Sequence, residues 1–250
     1  MAGVKTEGLF AEKERQYQDK VLAWFSQKGL NYKYLGKFQY AKGADSLADG
    51  RRNSPLIEEE LIDFLRNKQH CTPMQVSDVV KKVRDQIRLP DRKIGTLIDV
   101  NSAFYQTMIY GVKSKPSETE NETDVMLFDF SNPYENYFAI AEEVSFIDPL
   151  TGYNARPDLV IYVNGIAIAV IELKRSFVSI DEGIAQHLSN ESQLIPSFFT
   201  TTQFTVVSNE INGFKYATIG TPLKFWCPFK KDTNETGIVL TDEEAFKAFF

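Results

Sequence analysis

A chain of 250 residues, 43% hydrophobic and 25% charged, can bury a substantial core as one large domain or two modest ones and reads as an ordinary soluble globular protein. Its two cysteines, Cys71 and Cys227, and two histidines without ligand spacing exclude a disulfide framework and a zinc site and point to a reducing cytoplasm; no apolar run suggests a membrane span and no signal peptide is evident. A net charge of −6 argues against strong DNA binding by the chain alone, because non-specific affinity comes from Lys and Arg on phosphates.

From Phe10 to Lys28, apolar positions at Phe10, Tyr17, Val21, Leu22, Trp24 and Phe25 follow a helical spacing that Gly29 ends. Glu14 and Gln18 share a stripe with Val21 and can face inward. Three more helices are expected: one opened by Pro55-Leu56 through Glu58–Asn67, one capped by Thr72-Pro73 and running to about Arg88, and one from Asp91 to Tyr110 closed by Gly111. The stripe Ile94, Leu97, Ile98, Phe104, Tyr105, Met108 and Ile109 should pack against neighbours. Lys81, Arg84 and Arg88 fall on one helical face, read as solvated rather than phosphate-binding. Nothing in this block looks catalytic; it reads as a helical elaboration that covers one side of a sheet or docks a partner. Lys113 to Asp124 is a polar loop or hairpin tip, and strands are expected at Val125–Phe130 and Tyr137–Phe146. Glu142 and Glu143 in the second of these face opposite ways, so only one can look toward a site.

Arg156 to Arg175 is the centre of the chain. Asp158 opens one apolar strand, Asn164-Gly165 is a strong hairpin signal, and Ile166 to Ile171 resumes the apolar run that Glu172-Leu173-Lys174 closes. Both faces are apolar, so both strands should be central, where charged side chains stay only if paired or metal-bound. Glu172 and Lys174, two apart, share a face, and the hairpin returns Asp158 beside them. Two converging carboxylates suit Mg²⁺, which takes one or two carboxylates with waters and a substrate phosphate, while Lys174 can orient a water or offset charge. A salt-bridged Glu172–Lys174 pair with Asp158 as a turn residue is the non-catalytic alternative. Register decides between them. A simple two-residue turn pairs residues whose numbers add to 329 and sets Asp158 opposite Ile171, leaving Glu172 on the other face; convergence needs an even total, from a three-residue loop, a β-bulge or a kink. Carboxylates about 4 Å apart repel by roughly 1 to 4 kcal/mol, so without metal one should titrate high.

Ser179 or Asp181 caps a helix that leads to Gln186 and Leu188, and strands follow at Gln203–Asn209 and Phe214–Gly220, completing a mixed sheet. His187 is read as incidental. Residues 224–250 end in a short acidic-apolar helix signal from Asp242, and no G-x-x-x-x-G-K-[ST] phosphate loop occurs, so ATP is not bound by this chain.

Pro157-Asp158, thirteen intervening residues and Glu172-Leu173-Lys174 resemble the PD-(D/E)xK nuclease pattern. The wider stretch RPDLVIYVNGIAIAVIELKRS, the helix bearing Gln186, and FTVVSNEINGFKYATIGTP resemble the N-terminal nuclease domain of the restriction subunit of type I restriction-modification enzymes, over roughly residues 10 to 226. The resemblance implies an α/β, restriction-endonuclease-like mixed sheet flanked by helices, with the helical elaboration at about residues 45–112, and a nuclease domain over 1–226 followed at 227–250 by a linker toward an ATP-dependent motor absent from this chain. It implies DNA cleavage with Mg²⁺ on Asp158 and Glu172, assistance from Lys174, accessory roles for Gln186 and for Glu14 as the best match to an acidic residue of the first helix, and double-stranded DNA with methyltransferase and specificity subunits as partners. The family's Q-x-x-x-Y motif has Asn190 in place of its tyrosine here, which puts the role of that position in doubt. A catalytically silent docking module and another PD-(D/E)xK nuclease of repair or recombination are the rival readings.

Overall fold

The computed structural model describes residues 15–27, 29–37, 52–91, 94–210, 213–229 and 242–250; Glu14 and Phe10 lie outside them. The elements in chain order are α1 (15–26), β1 (Lys33–Lys37), α2 (Glu58–Asn67), α3 (Pro73–Gln86), α4 (Ile94–Tyr110), β2 (Val112–Ser114), β3 (Thr123–Val125), β4 (Phe138–Glu142), β5 (Phe146–Ile147), β6 (Asn154–Ala155), β7 (Leu159–Val163), β8 (Ile166–Lys174), α5 (Ile180–Ser189), β9 (Phe204–Asn209), β10 (Gly213–Ala217), β11 (Cys227–Pro228) and α6 (Asp242–Phe249). Seven strands form one mixed sheet in the order β1-β4-β7-β8-β9-β10-β11, with β1–β4 and β8–β9 parallel and the other pairs antiparallel. Helices flank this sheet, which is a restriction-endonuclease-like arrangement.

Alternation along the strands sorts side chains into two cores. On one face Ile140, Leu159, Ile161, Ala169, Ile171, Leu173 and Val206 pack against Tyr17, Val21, Trp24 and Phe25 of α1, as its helical stripe predicts. Phe246 of α6 is fully buried in the same core and packs on Trp24, Phe25 and Phe214. Residues 227–250, read from the sequence as leading out of the domain, thus contribute β11 and α6 to it. On the other face Val160, Tyr162, Ala167 and Val170 pack against Leu97 of α4 and against Phe198 and Phe199 of a 3-10 segment, Pro196–Thr200.

The helical block forms a third core at the turn end of β7–β8, where Leu61, Leu65, Val76, Val80 and Val83 surround Ile166. Helix α3 starts on the expected Thr72 with a complete capping box with Gln75 and Pro73 in the first turn. Of the basic face, Arg84 is neutralised locally by two bonds to Glu58, and the neighbouring Lys82 pairs with Asp78 at 2.8 Å. Three expectations fail. The strand expected over Tyr137–Phe146 ends at Glu142, where Glu143 turns left-handed with φ 50°, and Phe146–Ile147 pairs with β6 in a separate ribbon. Around Val125, only Thr123–Val125 is a strand, paired with β2 in a separate ribbon, because residues beyond Val125 turn around Asp129, whose carboxylate accepts from the Ser131 and Asn132 amides. The α4 stripe is also only half used: Leu97 and Phe104 are buried, whereas Ile98, Tyr105 and Ile109 are exposed. That helix sits on the edge of two cores and reaches them with one narrow seam.

The hairpin turn is not a surface turn. Asn164 and Gly165 both adopt left-handed backbone, φ 52° and 78°, as a type I′ turn requires. The turn is roofed by α2: the Ile57 amide donates to the Gly165 carbonyl at 2.6 Å, and a Cβ on Gly165 would collide with the Ile57 carbonyl and lie 2.9 Å from the Leu61 amide. Asn164 is fully buried, accepts from the Tyr137 amide at 2.7 Å and donates to the Leu127 carbonyl and Asn136 at 2.8 Å each. Asn164→Ala loses those bonds and the side chain best suited to left-handed backbone, and we expect a cost on the order of 2–3 kcal/mol in chemical denaturation; a change within 0.5 kcal/mol, taken as roughly the noise of a neutral surface substitution, would contradict this account of the turn.

Candidate active site

The register next to the turn is the regular one. Val163 pairs with Ile166 and Tyr162 with Ala167, numbers that add to 329. Then the ladder slips: Ile161 pairs with Ala169, Val160 with Val170 and Leu159 with Ile171, numbers that add to 330. Ile168 is the extra residue of a β-bulge, and its carbonyl accepts from the Gln203 amide at 2.7 Å. The parity change is visible in the packing. Ala167 and Ala169, two apart, would share a face of a regular strand, yet they sit in opposite cores. Continued by one residue, the shifted register brings Asp158 beside Glu172 on the face covered by α5, the condition set out from the sequence.

Glu172 is fully buried near the sheet end. Its Oε1 is 3.4 Å from the Asn190 amide nitrogen, and its Oε2 is 3.8 Å from Lys174 Nζ but has no hydrogen-bond partner. Burial pushes its carboxyl well above the usual range, the neighbouring Asp158 charge adds to the shift, and Lys174 opposes it. The shift has the direction expected of converging acids, with burial as its largest cause. Asp158 is half-buried and is oriented by the Leu173 amide, which donates to Oδ2 at 2.8 Å. The Glu143 amide donates to the Asp158 main-chain carbonyl at 2.8 Å, tying β4 to the same corner.

Helix α5 supplies a stripe at 183, 186 and 190 across these groups. At Gly183 a Cβ would lie 2.5 Å from Val207 Cγ1 and 2.9 Å from Lys174 Cγ, so only glycine lets the helix seat on the lysine stem. Gln186 accepts from Lys174 Nζ at 2.8 Å, and Asn190 reaches Glu172. The sequence points to Gln186 and leaves the role of Asn190 open, but it misses Gly183, for which a glycine in a helix interior is the available signal. His187, on another side of α5, is fully buried between Phe199 and Trp226, with Nε2 3.6 Å from Glu191 Oε2.

The other acidic pair is accounted for differently. Glu142 lies opposite Leu159 on the α1 face, away from Glu172. Arg15, Gln18 and Tyr34 all donate to it. Burial works to raise its pKa, but the Arg15 and Tyr34 bonds outweigh this and hold it below the usual value. Glu143, with φ 50°, pairs with Lys37 at 3.1 Å. Gln18 therefore faces inward as expected.

The donor set suits a hard divalent cation of modest coordination demand: a buried carboxylate oxygen without a hydrogen-bond partner, an adjacent aspartate, and no cluster of three or more His, Cys or carboxylate ligands among the described residues. Magnesium completes its shell with water and substrate phosphate, so two carboxylates suffice.

The family described as type I restriction enzyme R protein N terminus matches residues 12–222. The chain belongs to that family. Among relatives of this R protein N-terminal domain, a protein of Methanocaldococcus jannaschii named as the MjaIXP endonuclease subunit of a type I restriction enzyme is 35% identical over 180 residues, 70% of this chain and 16% of that protein. The SsaAORF53P endonuclease subunit of Staphylococcus saprophyticus is 28% identical over 160 residues, 62% of this chain and again 16% of the relative. The chain thus spans about one sixth of these relatives' length. No helix among the described residues is long and apolar enough to cross a membrane.

The two buried glutamates give opposite pH dependences. Glu142, with a lowered pKa, stabilises the fold above the ordinary glutamate value of 4.5, and that contribution is lost as pH falls through its folded pKa. Glu172, with a raised pKa, costs stability that sets in as pH rises past 4.5 and is complete above its folded pKa. In metal-free protein, Glu172→Gln should therefore raise stability at pH 8 by about 1–2 kcal/mol, a few degrees of melting temperature, with the gain vanishing toward pH 4. Equal melting curves of the two proteins across that range would contradict the raised titration.

Proposed function

We propose that this R protein N-terminal domain is the Mg²⁺-dependent endonuclease of a type I restriction enzyme, cutting phosphodiester bonds of foreign double-stranded DNA. The observation that carries the reading is the bulge at Ile168, after which Asp158 and the buried Glu172, whose Oε2 accepts no hydrogen bond, share one face with Lys174. A regular hairpin would have separated them. Asp158 and Glu172 would hold the ion, which when bound supplies an activated water and neutralises charge developing on the phosphate. Lys174, 3.8 Å from Glu172 and anchored by Gln186, is placed to orient water and offset the surplus negative charge of the two acids. The Leu173 amide fixes Asp158, and Gly183 seats α5 so that the Lys174 stem is confined. Glu14, which lies outside the described residues, is proposed as an accessory acid by resemblance.

The domain is proposed to extend beyond the expected boundary at residue 226, since β11 and α6 pack into its sheet and core, and to act in the cytoplasm within a complex with methyltransferase and specificity subunits that also includes an ATP-driven motor. The acidic net charge and the local neutralisation of Arg84 and Lys82 support a dependence on that complex for DNA engagement. In the complete enzyme, Asp158→Ala, Glu172→Ala and Lys174→Ala should each abolish strand scission in a plasmid assay, a loss of at least roughly 10³-fold, while ATP hydrolysis persists. Gln186→Ala should slow cutting less. Intact double-strand cleavage by Asp158→Ala together with loss of ATP turnover would instead assign the domain a docking or coupling role.

A further inference from the structure

Resting on the reading of Asp158 and Glu172 as metal ligands, we infer that Asn190 is a positioning residue that assigns the two oxygens of Glu172, holding Oε1 so that Oε2 alone faces the ion. Asn190 Nδ2 lies 3.4 Å from Oε1, while Oε2 is buried without a hydrogen-bond partner. At 3.4 Å the contact is longer than the usual N–H···O range of about 2.7–3.2 Å and contributes little to stability. Its value is orientation: the last torsion of a glutamate is broad, so an unrestrained carboxylate can swing between one-oxygen and two-oxygen coordination.

Asn190 is itself held firmly. It is 4% exposed, its amide bonds to the carbonyls of Gln186 and His187, and its carbonyl accepts from the Ile195 amide at 2.8 Å in a single π turn, Asn190–Leu194. That turn is pinned in turn by the β5–β6 hairpin. Thr151 donates to the Leu194 carbonyl, and the fully buried Asp148 accepts from the Ser197 amide at 2.7 Å and from its hydroxyl at 3.1 Å. Gly183 fixes the other end of α5 against β8 and β9. The amide of Asn190 is thus delivered to Glu172 by a rigid frame.

The consequence is a bias in metal choice. Magnesium demands near-ideal octahedral geometry and favours one oxygen per carboxylate, whereas calcium accepts two-oxygen coordination in a flexible shell. Asn190→Ala should therefore weaken Mg²⁺ binding to the 250-residue chain roughly 10-fold, the scale of loss when an outer partner of a ligand is removed, and weaken Ca²⁺ binding much less. Calorimetric titration with each ion alone, on protein whose melting temperature is checked, reads the ratio of the two affinities. Asn190→His returns an N–H donor the same number of bonds from Cα and should move the ratio back toward the starting value. Equal losses for both ions, no loss for either, or an Asn190→His variant that behaves like Asn190→Ala would overturn the inference. Asp158→Ala serves as the control: if it abolishes binding while Asn190→Ala changes nothing, the metal site stands and the role of Asn190 falls; if it too changes nothing, the two-carboxylate site is wrong.

Discussion

One inserted residue determines what this sheet can do. A type I′ turn at Asn164-Gly165 commits the two central strands to a register in which Asp158 and Glu172 point to opposite faces, and the bulge at Ile168 reverses that parity before the strands reach their charged ends. The same reversal sends Ala167 and Ala169 into different cores, so the apolar packing on both faces of the sheet locks the slipped register in place. Sliding β8 back by one residue would expose or misplace a row of buried Val and Ile side chains and would carry Glu172 into the apolar core beneath α1. The site is therefore held by hydrophobic packing far larger than any interaction among its charged groups.

The frame around that register divides labour between the two ends of the hairpin. At the turn end, α2 and the buried Asn164 network anchor the strands to the helical block. At the open end, two fully buried glutamates sit on opposite faces with opposite electrostatic treatment: Glu142 is surrounded by Arg15, Gln18 and Tyr34 and stays ionised, whereas Glu172 is left with a distant lysine, a long amide contact and an adjacent aspartate. The first arrangement ties α1 and β1 to the sheet. The second stores an unfavourable charge in the metal-free protein, which a divalent cation would relieve. Local stability is given up at Glu172 and recovered in the cores around it, the pattern expected where a protein keeps a site ready for a ligand.

Much of this was legible in the sequence, for identifiable reasons. The hairpin announced itself through Asn164-Gly165 between β-branched runs, the helix of 73–86 through Thr72-Pro73, and the site through charges in an otherwise apolar stretch. The need for an odd residue in the hairpin followed from strand parity alone, but its location at Ile168 did not, because an apolar residue in an apolar strand carries no mark of a bulge. The Val125–Phe130 strand failed because Asp129 and Asn136 hydrogen bonds outcompeted β-propensity, a tertiary decision invisible in a short apolar run. The contact between Asn190 and Glu172 joins residues eighteen apart through the fold of α5 over β8, and Gly183 has meaning only once Lys174 is known to lie beneath it.

The central claim is that the shifted register makes Asp158 and Glu172 a single cation site. Crystals of the chain soaked in Mn²⁺ and measured at the manganese absorption edge test it most directly. The account predicts one strong anomalous peak within coordination distance of Glu172 Oε2 and the Asp158 carboxylate, about 2.2 Å from each, on the α5 face of the sheet. A peak at other carboxylates with none between these two, or electron density showing Glu172 on the α1 face, would contradict it.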